Sequence, residues 1–149
     1  MYHLRNILPM NPSCLLIDDD IDEHNLFTYA MSQVNPKMEC IAICSSTQAI
    51  ERVKNEPDLK PLFIFIDLKM PRVGGKEVLK EIKGLRHLKD VPTFMYSGSL
   101  SPSDMSESQK LGSTGCIVKP GRFIKLVDVL KNIVTSIESG TPPVVISTS

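Results

Sequence analysis

Short apolar runs alternate with amphipathic stretches from residue 13 to residue 137. Residues 13–18 (SCLLID) form a brief apolar run that ends in acids. Residues 22–34 place Leu26, Tyr29, Ala30 and Val34 at helical spacing, which predicts a helix with those side chains on one face, stopped by Pro36. Residues 38–44 alternate as a strand, and 47–55 predict a helix with Ala49, Ile50 and Val53 inward. After a turn at 57–61 comes LFIFID at 62–67, the strongest strand signal in the chain. Residues 74–85 read as a helix facing inward through Val78, Leu79, Ile82 and Leu85. A buried strand follows at 91–96, a polar helix at 103–111 and a last strand at 114–118. Phe123, Leu126, Val127, Leu130, Ile133, Val134 and Ile137 then mark an amphipathic helix over 123–137.

Strict alternation of five strands with five helices predicts βαβ units and one parallel sheet. A continuously apolar strand such as LFIFI suits the centre of such a sheet, where helices cover both faces. Right-handed crossovers leave few topologies. The expected fold is a single α/β domain: a flavodoxin-like, doubly wound (βα)5 sandwich with a five-stranded parallel sheet of order 2-1-3-4-5.

Composition narrows the class. The 149 residues suffice for one ordinary domain with short tails, expected as an extension at 1–12, a domain at 13–138 and a loose tail at 139–149. Lys+Arg and Asp+Glu both number 17, so neither a charged disordered tail nor direct nucleic-acid binding is expected. No apolar run approaches the ~20 residues of a membrane span. The start, MYHLRNILPMNPS, is too short and too broken by Pro9 and Pro12 for a secretory signal. Cys14, Cys40, Cys44 and Cys116 sit in apolar, strand-like segments, and we expect reduced, buried thiols in a cytoplasmic protein. His3, His24 and His87 are expected at the surface, and the methionines as core filling.

In an open parallel sheet, chemistry gathers beyond the carboxyl ends of the strands. The first strand ends in Asp18, Asp19 and Asp20, the third in Asp67, the fourth in Ser97, and the fifth in Lys119 before Pro120. These four strands adjoin in the expected order, so their ends can share one pocket. Crowded carboxylates repel unless a cation joins them. All-oxygen ligation suits a hard divalent ion, with Mg2+ the first choice. A strand-end aspartate beside such an ion can act as nucleophile toward a phosphoryl group. Asp20 is read as a helix N-cap, and Asp22 and Glu23 as first-turn charges. A calcium loop on Asp18, Asp20 and Asp22 fails, because His24 stands where Gly is needed and Tyr29 where Glu is needed.

From about residue 13 to 137 the chain resembles the receiver domains of two-component response regulators. The resemblance rests on LLIDDD, on FIFIDLKMP followed by Gly74-Gly75, on YSGS and on IVKP, each at the right strand end and in the right order. It implies that Asp67 is the phosphoacceptor and that Asp18 and Asp19 hold Mg2+, with the backbone carbonyl of Lys69 as a further ligand. Ser97 matches the switch hydroxyl, Gly98 the small residue that leaves phosphate access, and Lys119 the pocket lysine. The Lys119–Pro120 bond is often cis in that family, and the sequence leaves its isomer open.

By the same resemblance, the phosphodonor is a sensor histidine kinase or a histidine phosphotransfer protein. Output would pass to an unidentified downstream protein, as no output domain is expected after residue 137. Two departures stand out. Relatives often carry Tyr or Phe three residues before the pocket lysine, where this chain has Cys116. Lys69 replaces the neutral residue common there, and its amine is expected to reach toward the phosphoryl group or its donor. Two other readings stay open. An aspartyl-nucleophile phosphatase of the haloacid dehalogenase type would use Asp18 and Asp20 but leaves Asp67 unexplained. A pseudo-receiver would bind partners without phosphorylation.

Overall fold

The computed structural model describes residues 11–142. Ten elements alternate: β1 (Ser13–Ile17), α1 (Ile21–Val34), β2 (Glu39–Ile43), α2 (Ser46–Asn55), β3 (Ile64–Asp67), α3 (Gly75–Lys83), β4 (Thr93–Ser97), α4 (Pro102–Lys110), β5 (Gly115–Val118) and α5 (Phe123–Ser139). The strands pair in parallel in the order β2-β1-β3-β4-β5, the expected doubly wound topology.

Successive strand residues feed opposite layers. Leu16, Phe65, Phe94 and Tyr96 pack with Phe27 of α1 and Leu130 of α5, while Leu15, Ile17, Ile64, Ile66 and Met95 pack with Val53 of α2 and Leu79 of α3. This two-sided burial is why the central strands are apolar at every position. Phe65 centres the first layer, with ring centroids 5.2 Å from Phe27, 5.5 Å from Phe94 and 5.1 Å from Tyr96. Each fully buried side chain of this size contributes about 1.5–3 kcal/mol.

Local signals set the helix ends. Asp20 caps α1 by accepting from the Asp22 amide, as expected, and Ser45 caps α2 by accepting from Gln48. Ser101 and Asp104 form a reciprocal capping box that starts the polar α4. Gly140 ends α5 in the left-handed conformation, with φ of 72°.

Several expectations need correction. The inward stripe of α1 is Phe27, Ala30, Met31 and the half-buried Val34, a full i, i+3, i+4, i+7 set, whereas Leu26 and Tyr29 are 48% and 61% exposed. Tyr29 instead stacks on Phe123 at 5.1 Å. The four cysteines are free but unequal: Cys14 is buried, Cys40 and Cys116 are half-buried, and Cys44, past the end of β2, is exposed. His24 and His87 are half-buried rather than at the surface; His3 lies outside the described residues. Met31, Met38, Met70 and Met95 fill the core, but Met105 on α4 is 41% exposed. The expected tails fall largely outside the described residues, and α5 runs to Ser139. Among the described residues no peptide bond is cis, so Lys119–Pro120 is trans.

Candidate acidic phosphoacceptor site

Register brings the acids together. Ile17 of β1 pairs with Ile66 of β3, so the next residues, Asp18 and Asp67, leave adjacent strand ends side by side. One carboxylate oxygen from each of Asp18, Asp19 and Asp67 lies within 4.8 Å of the others. Asp18 is fully buried, Asp67 is 6% exposed, and Asp19 faces solvent. Asp18 Oδ1 accepts from the Asp20 amide at 2.9 Å. Its buried Oδ2 meets Lys119 Nζ at 2.8 Å but has no well-formed hydrogen bond. The same ammonium lies 3.8 Å from Asp67 Oδ2 and 5.5 Å from the centroid of the Tyr96 ring.

Lys119 reaches this position because its amide donates to the Ser97 carbonyl at 2.7 Å, extending the β4–β5 ladder one step beyond Val118. Ser97, 2% exposed, ends β4 beside it. Behind Asp67, α3 begins against the end of β3: Gly75 donates its amide to the Leu68 carbonyl at 3.0 Å. A cleft lined by Asp19, Ser46, Met70 and Arg72 opens next to the acids.

The electrostatics follow from burial and crowding. Burial, then the charge of Asp18, raises the Asp67 carboxyl to about 6, with Lys119 pulling the other way. Burial also works against the charged form of Lys119, but the close contact with Asp18 and the charges of Asp18, Asp67 and Glu23 hold its pKa above the ordinary lysine value. The pocket thus holds more negative charge than one lysine offsets. Three clustered carboxylates, one oxygen of which lacks a well-formed hydrogen bond, are donors that fit a hard divalent cation.

Two contributors escaped the sequence reading. Glu23, taken only as a first-turn charge, accepts from the Tyr96 hydroxyl at 3.5 Å and faces Lys119. His24 places Nε2 2.5 Å from the Asp18 carbonyl oxygen. Their position one turn beyond the Asp20 cap was the available signal, since the first turn of α1 returns over the end of β1.

Lys69 makes two contacts near the acids. Its amide donates to Asp67 Oδ1 at 3.3 Å, and its exposed ammonium donates to Ser99 Oγ at 3.1 Å. Gly98 borders open space, as a β-carbon there would meet nothing within 4 Å.

These features define a parallel α/β domain with an acidic pocket at the carboxyl ends of its strands. The profile of the response regulator receiver domain matches residues 14–131, and the chain belongs to that family. Receiver domains are signalling phosphoacceptors rather than conventional enzymes, which removes the phosphatase reading. The two-component response regulator ORR11 of Oryza sativa is 27% identical over 111 residues, covering 74% of this chain and 73% of its own. The CAI-1 autoinducer sensor kinase/phosphatase CqsS of Vibrio cholerae is 26% identical over 121 residues, 78% of this chain, and this chain spans only 17% of that protein's length. In structure, the phosphorylated cyanobacterial phytochrome response regulator RcpA superposes with a TM-score of 0.78 at 24% identity, covering 88% of this chain and 96% of its own.

Proposed function

We propose that the chain is the receiver of a two-component phosphorelay, in which Asp67 takes a phosphoryl group from a phosphohistidine. The donor is a sensor histidine kinase or a histidine phosphotransfer protein. The observation that supports this most is the meeting of Asp18, Asp19 and Asp67 within 4.8 Å beneath the Lys119 ammonium.

Asp18, Asp19, Asp67 and the Lys69 backbone carbonyl would hold Mg2+, which supplies charge neutralisation to the transferred phosphoryl oxygens. An Asp67 carboxylate oxygen attacks phosphorus in line, the P–N bond to the donor imidazole breaks, and an acyl phosphate forms. Lys119, already 3.8 Å from Asp67, pairs with the added negative charge. The Ser97 hydroxyl, at the neighbouring strand end, moves to donate to a phosphoryl oxygen. That movement biases the surface of α4, β5 and α5, and so changes affinity for a downstream protein. We also propose that the reaction takes place in the cytoplasm.

The test is acetyl phosphate with and without Mg2+, on wild type and Asp67→Asn, followed by intact mass under acid quench. A single phosphoryl gain that needs Mg2+ and is absent in Asp67→Asn is the expected result. No gain in folded protein, from either acetyl phosphate or a phosphohistidine donor, would leave the pseudo-receiver.

A further inference from the structure

At the opposite end of β1 from the acids, two thiols meet. Cys14 and Cys40 are register partners on the parallel strands β1 and β2, and their sulfurs lie 3.5 Å apart. Cys14 is wholly buried, whereas Cys40 is half-buried on β2, the edge strand of the sheet. Neither is in a disulfide. We propose that Cys14 and Cys40 form a peroxide-sensitive dithiol that closes reversibly to a disulfide across β1 and β2.

The pair is chemically unequal. Cys14 donates its S–H to the Cys40 sulfur. That hydrogen bond lowers the Cys40 pKa against the opposing effect of burial, and Thr28 adds a second one. The same hydrogen bond, with burial, pushes the Cys14 thiol far up. Cys40 is therefore the more acidic thiol and the one nearer solvent, and Cys14 the sheltered resolving thiol.

The chemistry balances with a hydroperoxide as oxidant. The Cys40 thiolate attacks the terminal peroxide oxygen, the O–O bond breaks, and the product is Cys40 sulfenic acid plus an alkoxide or hydroxide that takes up a proton. The Cys14 sulfur then attacks the sulfenic sulfur, loses its proton and expels water. The sulfurs must close from 3.5 Å to about 2.05 Å. Neighbouring strands lie about 4.8 Å apart, within the Cα range of a disulfide but wider than its preferred Cβ spacing of about 3.8 Å. Such a bridge is strained and readily reduced, the character of a regulatory bond rather than a structural one.

The experiment uses the full chain carrying Cys44→Ser, which removes the exposed competing thiol. Hydrogen peroxide near stoichiometry is followed by alkylation, intact mass and peptide mapping. The expected result is loss of two hydrogens, a Cys14–Cys40 linked peptide and full reversal by dithiothreitol. With Cys14→Ala added, dimedone labels Cys40; Cys14→Val is used if the alanine variant loses the wild-type circular dichroism spectrum. With Cys40→Ser added, Cys14 stays unreacted. Alkylation before oxidation is expected to be at least about tenfold faster at Cys40 than at Cys14. A folded protein in which Cys40 stays reduced, or in which Cys40 pairs with another cysteine, overturns the proposal.

Discussion

A β-carbon on Gly75 would stand 2.2 Å from the carbonyl oxygen of Asp67 and 2.8 Å from the Cα of Leu68. Both obstacles are backbone, so neither can swing aside. The start of α3 therefore sets where β3, and with it Asp67, ends. Gly75→Ala must separate α3 from β3, and overpacking of this kind costs about 1–3 kcal/mol or more. We expect a urea midpoint lowered to match, together with acyl-phosphate formation at least tenfold slower although every acidic residue remains. Gly98→Ala is the control, since its β-carbon meets nothing within 4 Å and its stability should stay within about 0.5 kcal/mol of wild type. Wild-type phosphorylation in Gly75→Ala would show that α3 does not position the acceptor.

Asp67 makes stability depend on pH in a particular direction. Its folded pKa of about 6 lies above the ordinary unfolded value near 3.9, so the folded state binds the proton more tightly. The associated stability is complete below pH ~4 and is lost as pH rises through ~6. The cost above that window is roughly 1–3 kcal/mol. In chelator, Asp67→Asn should exceed wild type in stability by this amount at pH 7.5, and the two should converge at pH 4. Adding Mg2+ should narrow the gap at pH 7.5 by stabilising wild type through binding. Melts in which Asp67→Asn is the less stable protein at pH 7.5 without metal would contradict the reading that burial and crowding disfavour the charged carboxylate.

The sheet order and the pocket were legible because both depend on strand ends. LFIFID and YSGS announce burial on two sides and then polarity at one edge, and the parallel order does the rest. The face of α1 was not legible. Leu26 and Tyr29 compete with Phe27 and Met31 for the inward stripe, and hydrophobicity alone does not rank them; only docking against Phe65 does. The role of Glu23 was hidden for a related reason: its partners, Tyr96 and Lys119, come from β4 and the end of β5, far away in sequence. The close pairing of Cys14 with Cys40 likewise needed the β1–β2 register, which a spacing of 26 residues does not disclose.

Two residues beyond Asp67 and Ser97, Lys69 Nζ donates to Ser99 Oγ at 3.1 Å. This contact joins the β3–α3 and β4–α4 loops, which leave the strand ends that carry Asp67 and Ser97. The two loops flank Asp67, so the contact between them should govern how long an acyl phosphate on Asp67 lasts against water. Lys69→Asn and Ser99→Ala are each expected to change its half-life by at least about threefold, roughly 0.7 kcal/mol in the barrier. The double variant should fall short of the sum, because the two residues share one interaction. The measurement is loss of phosphoryl mass with time after removal of acetyl phosphate. An unchanged half-life in Lys69→Asn would exclude any such role.

Beneath α4, the Ser108 hydroxyl is fully buried and has no well-formed hydrogen bond, while the half-buried Cys116 thiol is its polar neighbour. Cys116 stands where related receivers often carry an aromatic ring. A buried hydroxyl that has left water without a strong partner costs about 1–3 kcal/mol. Ser108→Ala removes that cost without opening a significant cavity, so it should raise unfolding stability by about 0.5–1.5 kcal/mol, read as a higher urea midpoint at constant m-value. The predicted gain has a functional counterpart. If α4 shifts when Asp67 is phosphorylated, the strain at Ser108 favours that shift, and the alanine variant should respond less. Hydrogen exchange of α4 amides, with and without acetyl phosphate, should then show a smaller change in Ser108→Ala than in wild type. A destabilised variant would mean that the Cys116 contact is a good hydrogen bond after all, and that α4 is held by it rather than strained.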